Sequence, residues 1–165
     1  MNGYIIRKAA PSDAARLVEF LKTVGGETDN LTFGPEGLGI SVKDEEEYIK
    51  DLDSRDVMIV AEKDGKIVGD ASLSCFFRRM AHRAELGISV VRSEWGNGLG
   101  YELMQRCISH ARENGITLIT LEVRSDNARA IRLYEKCGFA KTGTIPNYFL
   151  IDGKYYDFDI MALVL

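Results

Sequence analysis

Apolar positions along the chain recur with a period near two in some stretches and near 3.6 in others, and the changes of period mark out its elements. Tyr4 to Lys8 reads as a first strand. Pro11-Ser12-Asp13 opens a helix with its apolar stripe through Ala14, Leu17, Val18 and Leu21, Ser12 as N-cap and Gly25-Gly26 as its end. Residues 25–41 hold Gly25, Gly26, Gly34, Pro35, Gly37 and Gly39 without a clear period, the mark of a functional or mobile segment. Ser41 with Asp44 and the glutamates 45–47 starts a second helix that runs through Leu52; those acids either suit a helix first turn or line a solvated face. Strands follow at 57–61 and 66–76, joined at the hairpin signal Asp64-Gly65, and then at 83–91. A helix over 98–113 carries Leu99, Leu103, Met104, Cys107, Ile108 and Ala111 on one stripe and closes at Asn114-Gly115. After a mostly buried strand at 116–123 and a helix at 127–136, two last strands are joined through Asp152-Gly153.

The order β-α-α-β-β-β-α-β-α-β-β predicts an α/β fold: a mixed sheet of about seven strands with helices on both faces, forming a single domain over 1–165. A chain of 165 residues is long enough for one such core. The net charge of −4 and the lack of a lysine/arginine block speak against a nucleic-acid partner. Apolar runs are too short for a membrane span and the N-terminus lacks the parts of a secretion signal, so a cytoplasmic protein with no membrane partner is expected. Cys75, Cys107 and Cys137 form no C-x-x-C pair and read as free thiols, and His82 and His110 have no ligand cluster nearby, so no metal site is expected.

Candidate chemistry begins where the run Glu85-Leu-Gly-Ile-Ser-Val-Val91 leads into Trp95-Gly-Asn-Gly-Leu-Gly100 and a helix. A strand, a glycine turn and a helix N-terminus make a cradle for phosphate, because main-chain N–H groups approach the oxygens and the helix dipole favours negative charge. The hairpin-joined strands before the turn argue against a dinucleotide-binding fold, and neither a nucleotide-phosphate loop nor a nucleophile elbow is present. About thirty residues on, Asn127, Ala130, Ile131 and Tyr134 fall at i, i+3, i+4 and i+7, on one helical face.

These segments resemble those of the GNAT superfamily of acetyl-CoA-dependent N-acetyltransferases. The resemblance lies in Ile6-Arg-Lys-Ala-Ala-Pro-Ser-Asp13, in the glycine loop, and in the pattern Asn-x-x-Ala-x-x-Leu-Tyr-x-Lys-x-Gly-Phe, met at every named position from Asn127 to Phe139. Trp95 departs from it, standing where the family prefers Arg or Gln. The resemblance implies a strand that bulges and splays from its neighbour, a V-shaped gap between the fourth and fifth strands, and acetyl-CoA as co-substrate. It carries pantetheine contacts onto Ile88, Ser89, Val90 and Val91, and pyrophosphate contacts onto Gly96, Asn97, Gly98, Leu99, Gly100 and Tyr101. Asn127, a natural helix N-cap, gains a cofactor hydrogen bond, and Tyr134 becomes the acid that protonates the departing thiolate.

An amine with a reference pKa of about 10.4 must lose a proton before it can attack, so a base is needed. Glu122 is the candidate, Glu85 the rival, and a water chain stays open. The main-chain N–H near Val90 is expected to hold the oxyanion. Direct attack leaves the three cysteines without a nucleophilic role. A non-catalytic acetyl-CoA-binding sensor or interaction module on the same fold is the other function class. The acceptor, a small-molecule amine or a peptide amino group, is expected to meet residues 25–41 and 146–156, which include Phe33, Asn147, Tyr148, Tyr155 and Tyr156. Asp152, Asp157 and Glu36 either receive a cation there, belong to ordinary hairpin surface, or form a homodimer contact.

Overall fold

The computed structural model describes residues 3–165. Its strands are β1 (Ile5–Lys8), β2 (Val57–Lys63), β3 (Lys66–Cys75), β4 (Arg83–Val90), β5 (Leu118–Arg124), β6 (Ala140–Ile151) and β7 (Lys154–Val164). Its helices are α1 (Ala14–Glu27), α2 (Val42–Lys50), α3 (Leu99–Glu113) and α4 (Ala128–Lys136). The strands form one seven-stranded sheet in the order β1-β2-β3-β4-β5-β7-β6. Neighbours run antiparallel except β4 and β5, which are parallel.

Alternation along the strands sends side chains to two cores. Ala71, Leu73, Ala84, Leu86, Ile119, Leu121 and Val123 meet the stripe of α3, where Leu103, Met104, Cys107 and Ala111 are fully buried, together with Tyr134 of α4. The other sheet face gives Met58, Val60 and Ile67 to Leu17, Phe20, Leu21 and Val24 of α1 and Ile49 of α2. Helices on both faces of a mixed sheet match the order of elements expected from the periodicity.

Several local expectations change. The first helix runs through Gly25-Gly26 to Glu27. Gly25 serves close packing there: a Cβ at this position would lie 2.0 Å from the Gly34 carbonyl oxygen, so the loop after α1 folds onto the helix at the one place without a side chain. Ser12 is no cap. Asp13 occupies the N-cap position of α1 without a side-chain cap bond to it; its carboxylate accepts from the Ala10 N–H at 2.7 Å, and with Arg7, Arg16 and Glu62 it ties β1, β2 and the start of α1 together. Ser41 and Asp44 do form a capping box at α2, which ends at Lys50 rather than Leu52. Glu45, read as part of a solvated face, is only 3% exposed. β4 keeps a single register against β3 from Ala84 to Val90, so the expected bulge is not present in that pairing.

Candidate active site

β4 and β5 pair only from Arg83↔Leu118 to Glu85↔Thr120; beyond that the two strands separate. The gap is part of a cavity of about 520 Å³ lined by strand residues 85–90, glycine-loop residues and one face of α4. Parallel strands that part at their C-terminal ends leave main-chain groups without partners, and the register says which ones. Phe76 donates to Arg83 O and Val91 donates to Val68 O, so odd-numbered residues of β4 bond to β3. Ile88 and Val90 therefore turn their N–H and C=O toward the gap.

One of those carbonyls is already taken. The Trp95 indole N–H donates to Val90 O at 2.7 Å, and the Arg129 guanidinium lies 3.3 Å from the centroid of the Trp95 ring. The side chain that departs from the usual Arg or Gln thus braces the mouth of the gap and holds an arginine beside it. Val91 buries its side chain and spends its amide on Val68, so it stands outside the cavity. Ser89 lines the cavity and donates its hydroxyl to Asp70.

At the far end the chain turns through Gly96 and Gly98, with φ of 80° and 82°, values that glycine adopts without the strain an L side chain meets. Gly98 is the N-cap of α3, and no side chain caps this helix. The first-turn N–H groups from Leu99 to Tyr101 thus keep their anion-binding capacity. Gly96, Gly98, Gly100 and Tyr101 line the cavity; the Leu99 side chain is in the core. Asn97 faces backward, its amide donating to Glu94 at 3.2 Å. Glu94, also bonded by Tyr4 and Lys63, is kept ionised and anchors the loop from below. Arg129 and Lys136 of α4 line the same cavity and add positive charge near the cradle. Neither cation stands out in the sequence, because a helix surface is the ordinary place for both.

The middle of the cavity holds the groups capable of proton transfer. Tyr134 is 8% exposed, and its hydroxyl has no hydrogen-bond partner among the described residues. Burial, with a smaller effect of Cys137, pushes its phenol up to about 12, so it carries its proton at neutral pH. Asn127 caps α4, accepting from the Ala130 N–H at 3.3 Å, which leaves its side-chain NH2 facing the cavity it lines. Glu122 and Glu85 both line the cavity from the adjoining strands, and the Tyr148 hydroxyl donates to Glu122. That hydrogen bond, with burial, raises the Tyr148 phenol to about 12.

Tyr148 arrives there through an irregularity between Ile145 and Phe149 in the β6–β7 pairing, where Asn147 takes a φ of 54° and donates its N–H to Asp157. Among the acceptor-side candidates, Phe33 and Tyr148 line the cavity. Asp157 is spent on Asn147, Glu36 accepts from Gly34 N–H at 3.0 Å, Asp152 sits in the hairpin turn, and Tyr156 stacks under Arg124. The Cys107 and Cys75 thiols are pushed up to about 12 and about 11 by burial, far from the thiolate a nucleophile requires.

Comparison with known proteins agrees with this geometry. The model of the acetyltransferase (GNAT) family matches residues 28–139. An L-methionine sulfoximine/L-methionine sulfone acetyltransferase of Salmonella typhimurium is 31% identical over 110 residues, 66% of this chain and 64% of its own. The chain spans between 64% and 69% of the length of three curated relatives that it matches. A crystal structure of a GNAT-family acetyltransferase from Streptococcus pneumoniae, 30% identical, superposes with a TM-score of 0.94 over 98% of this chain and 99% of that one. An acetyltransferase of Salmonella typhimurium, solved with its cofactor acetyl-CoA, is 25% identical with a TM-score of 0.86, over 99% of this chain and 95% of that one.

Proposed function

Because this chain belongs to the acetyltransferase (GNAT) family, we propose that it is an N-acetyltransferase that moves the acetyl group of acetyl-CoA to a primary amine by direct attack in a ternary complex. The observation that carries this reading is the continuity of one cavity from an uncapped helix N-terminus, along unpaired β4 main chain, to a buried phenol with no partner.

Acetyl-CoA supplies an acyl carbon already activated as a thioester. The residues suit it. Main-chain N–H groups from Gly96 to Tyr101, with Arg129 and Lys136, hold the pyrophosphate end, and their charge complements four or so anionic oxygens. Ile88 and Val90 pair with the pantetheine arm as a neighbouring strand would. The Asn127 amide adds a donor. With its carbonyl held by Trp95, Val90 offers its N–H to the thioester oxygen, where negative charge grows during attack.

Tyr134 donates a proton to the departing sulfur. Its own proton is held too tightly to be lost beforehand, and because a thiol has a reference pKa of about 8.5, below that of this phenol, transfer to the sulfur is uphill: the hydroxyl stabilises the departing thiolate by donating a hydrogen bond, and the proton passes only as the desolvated sulfur reaches full charge. Glu122, oriented by Tyr148, accepts the proton of the incoming ammonium directly or through a water, with Glu85 as a second carboxylate in the same cavity. The cysteines take no part.

The test is acetyl-CoA binding by calorimetry together with thiol release in the presence of pooled primary amines. Micromolar binding with thiol release is expected, and Glu122→Gln should slow release about tenfold or more at pH 7 while Glu85→Gln slows it less. Binding without turnover of any amine would instead favour a non-catalytic acetyl-CoA sensor, and absence of binding would end both readings.

A further inference from the structure

A second cavity, of about 450 Å³, lies on the α1–α2 side of the sheet and meets the first along Gly87, Ile88 and Ser89. Its walls are largely apolar, with Leu17, Phe33 and Ile40 among them, and its charged residues are Asp44, Glu45 and Asp70, with no Lys, Arg or His. Two of these acids have no ordinary explanation. Glu45 is 3% exposed and makes no hydrogen bond or ion pair through its side chain with any described residue. Asp70 stands in the middle of β3, directly opposite Ser89; it accepts from the Ser89 hydroxyl, feels the main-chain N–H groups of Ser89 and of its own residue, and has no cationic partner among the described residues. Asp44, by contrast, is spent on the α2 capping box.

Placing two carboxylates, one of them buried, on one largely apolar cavity without a counter-charge is expensive, because each loses hydration and each repels the other. Burial and the nearby Glu45 together push Asp70 up to about 6, against the pull of Ser89. A cation seated between them would remove both penalties at once. Its position follows from the strand register. Asp70 faces Ser89, cross-strand neighbours lie about 5 Å apart, and Val90 is the next residue along β4. A molecule lying across Gly87–Ser89 would therefore reach the acyl end of the first cavity with one end and Asp70 with the other.

Resting on the acetyl transfer proposed above, we infer that the acceptor is a short aliphatic diamine: one nitrogen, deprotonated, attacks the thioester, and the second, as ammonium, is bound by Asp70 and Glu45. The bond formed is the amide at the first nitrogen, the carbon–sulfur bond breaks, and the second nitrogen keeps its proton throughout. The apolar walls take the methylene chain. In the second cavity the carboxylate of a zwitterion would meet Asp44, Glu45 and Asp70 with no cation to offset them, so that end of the site favours a second ammonium.

Initial rates with 1,4-diaminobutane, 1-aminobutane and L-methionine, at saturating acetyl-CoA, test this in the wild type, Asp70→Asn and Glu45→Gln. The diamine should exceed the monoamine in kcat/KM by about 10- to 100-fold, the range expected for one buried charge-assisted contact, with most of the difference in KM. Either substitution should bring that ratio down toward one. Glu45→Gln, on a different element, keeps the question answerable if Asp70→Asn fails to fold. A ratio near one in the wild type, a ratio untouched by both substitutions, or faster turnover of methionine than of the diamine would each overturn the inference while leaving acetyl transfer standing. Acetyl-CoA binding with no turnover of any amine would defeat the transfer reading, and this inference with it.

Discussion

The catalytic role proposed for Tyr134 rests on what that residue lacks. A buried phenol normally finds an acceptor, yet this one lines the cavity with no protein partner. Tyr134→Phe removes a single oxygen from a side chain that is 8% exposed. It is expected to lower kcat by about 100-fold, within the range for loss of a general acid, while the calorimetric Kd for acetyl-CoA moves by less than about threefold. An equal loss in Kd would instead mark the residue as a binding group. Its candidacy came from the family resemblance of Asn127 to Phe139, and the spacing of Asn127 and Tyr134, two turns apart on one helix face, agrees with it. The partner of Glu122 was not readable. Tyr148 reaches it only because β6 slips register between Ile145 and Phe149, a consequence of how two strands and the Asn147–Asp157 contact settle together. Asp70 was hidden for a related reason: an acid in an alternating strand reads as solvent-facing until something covers that face.

Among the elements, the glycine loop and the loop after α1 do different work with the same residue. Gly98 holds φ at 82° so that the chain can enter α3 with its N–H groups aimed into the cavity. Gly98→Ala should cost about 1–2 kcal/mol of stability and weaken acetyl-CoA binding about tenfold or more, read by thermal unfolding and calorimetry on the same sample. Gly25 sits inside α1 with ordinary helical backbone, and its importance is closeness. Gly25→Ala should displace the 28–41 loop, since the added carbon would overlap the Gly34 carbonyl. The expected readout is faster proteolysis within 28–41 and a raised KM for the amine, with little change in acetyl-CoA affinity. A glycine pair in a sequence signals a helix stop as readily as a close contact, and only the packed loop distinguishes them. The splay itself belongs to this scale. β4 follows β3 without a bulge, and the gap opens because β5 leaves after three paired positions.

For the molecule as a whole, two acids set opposite pH dependences. Asp13, held well below the usual carboxylate range chiefly by Arg7, contributes stability that is present above about pH 4 and is lost as acid protonates it. Asp70 works the other way. Its carboxyl is raised from 3.8 to about 6 in the fold, so its contribution is greatest below about pH 4 and is lost as pH rises through 6. The groups facing it are Ser89 on β4 and, on α2, Glu45 with Asp44 and Tyr48 at the same cavity. Asp70→Asn in the amine-free protein should therefore raise stability by about 1–3 kcal/mol at pH 8 and by little at pH 4, measured by denaturant unfolding at the two pH values. A gain of the same size at both would show that Asp70 does not titrate differently in the two states.

Period and punctuation alone determined the order of eleven elements and the two-sided mixed sheet, and they marked the glycine turn as a candidate phosphate cradle. Each of these depends on residues within a turn or two of one another, where backbone sterics and side-chain spacing leave few choices. Tertiary structure decided what surrounds each group: that Trp95 closes onto Val90, that Tyr148 meets Glu122, and that Asp70 and Glu45 line one cavity with no cationic side chain in its walls. Those outcomes turn on distances between segments far apart in the chain, set by how the loops and strand ends pack, and no local pattern encodes them.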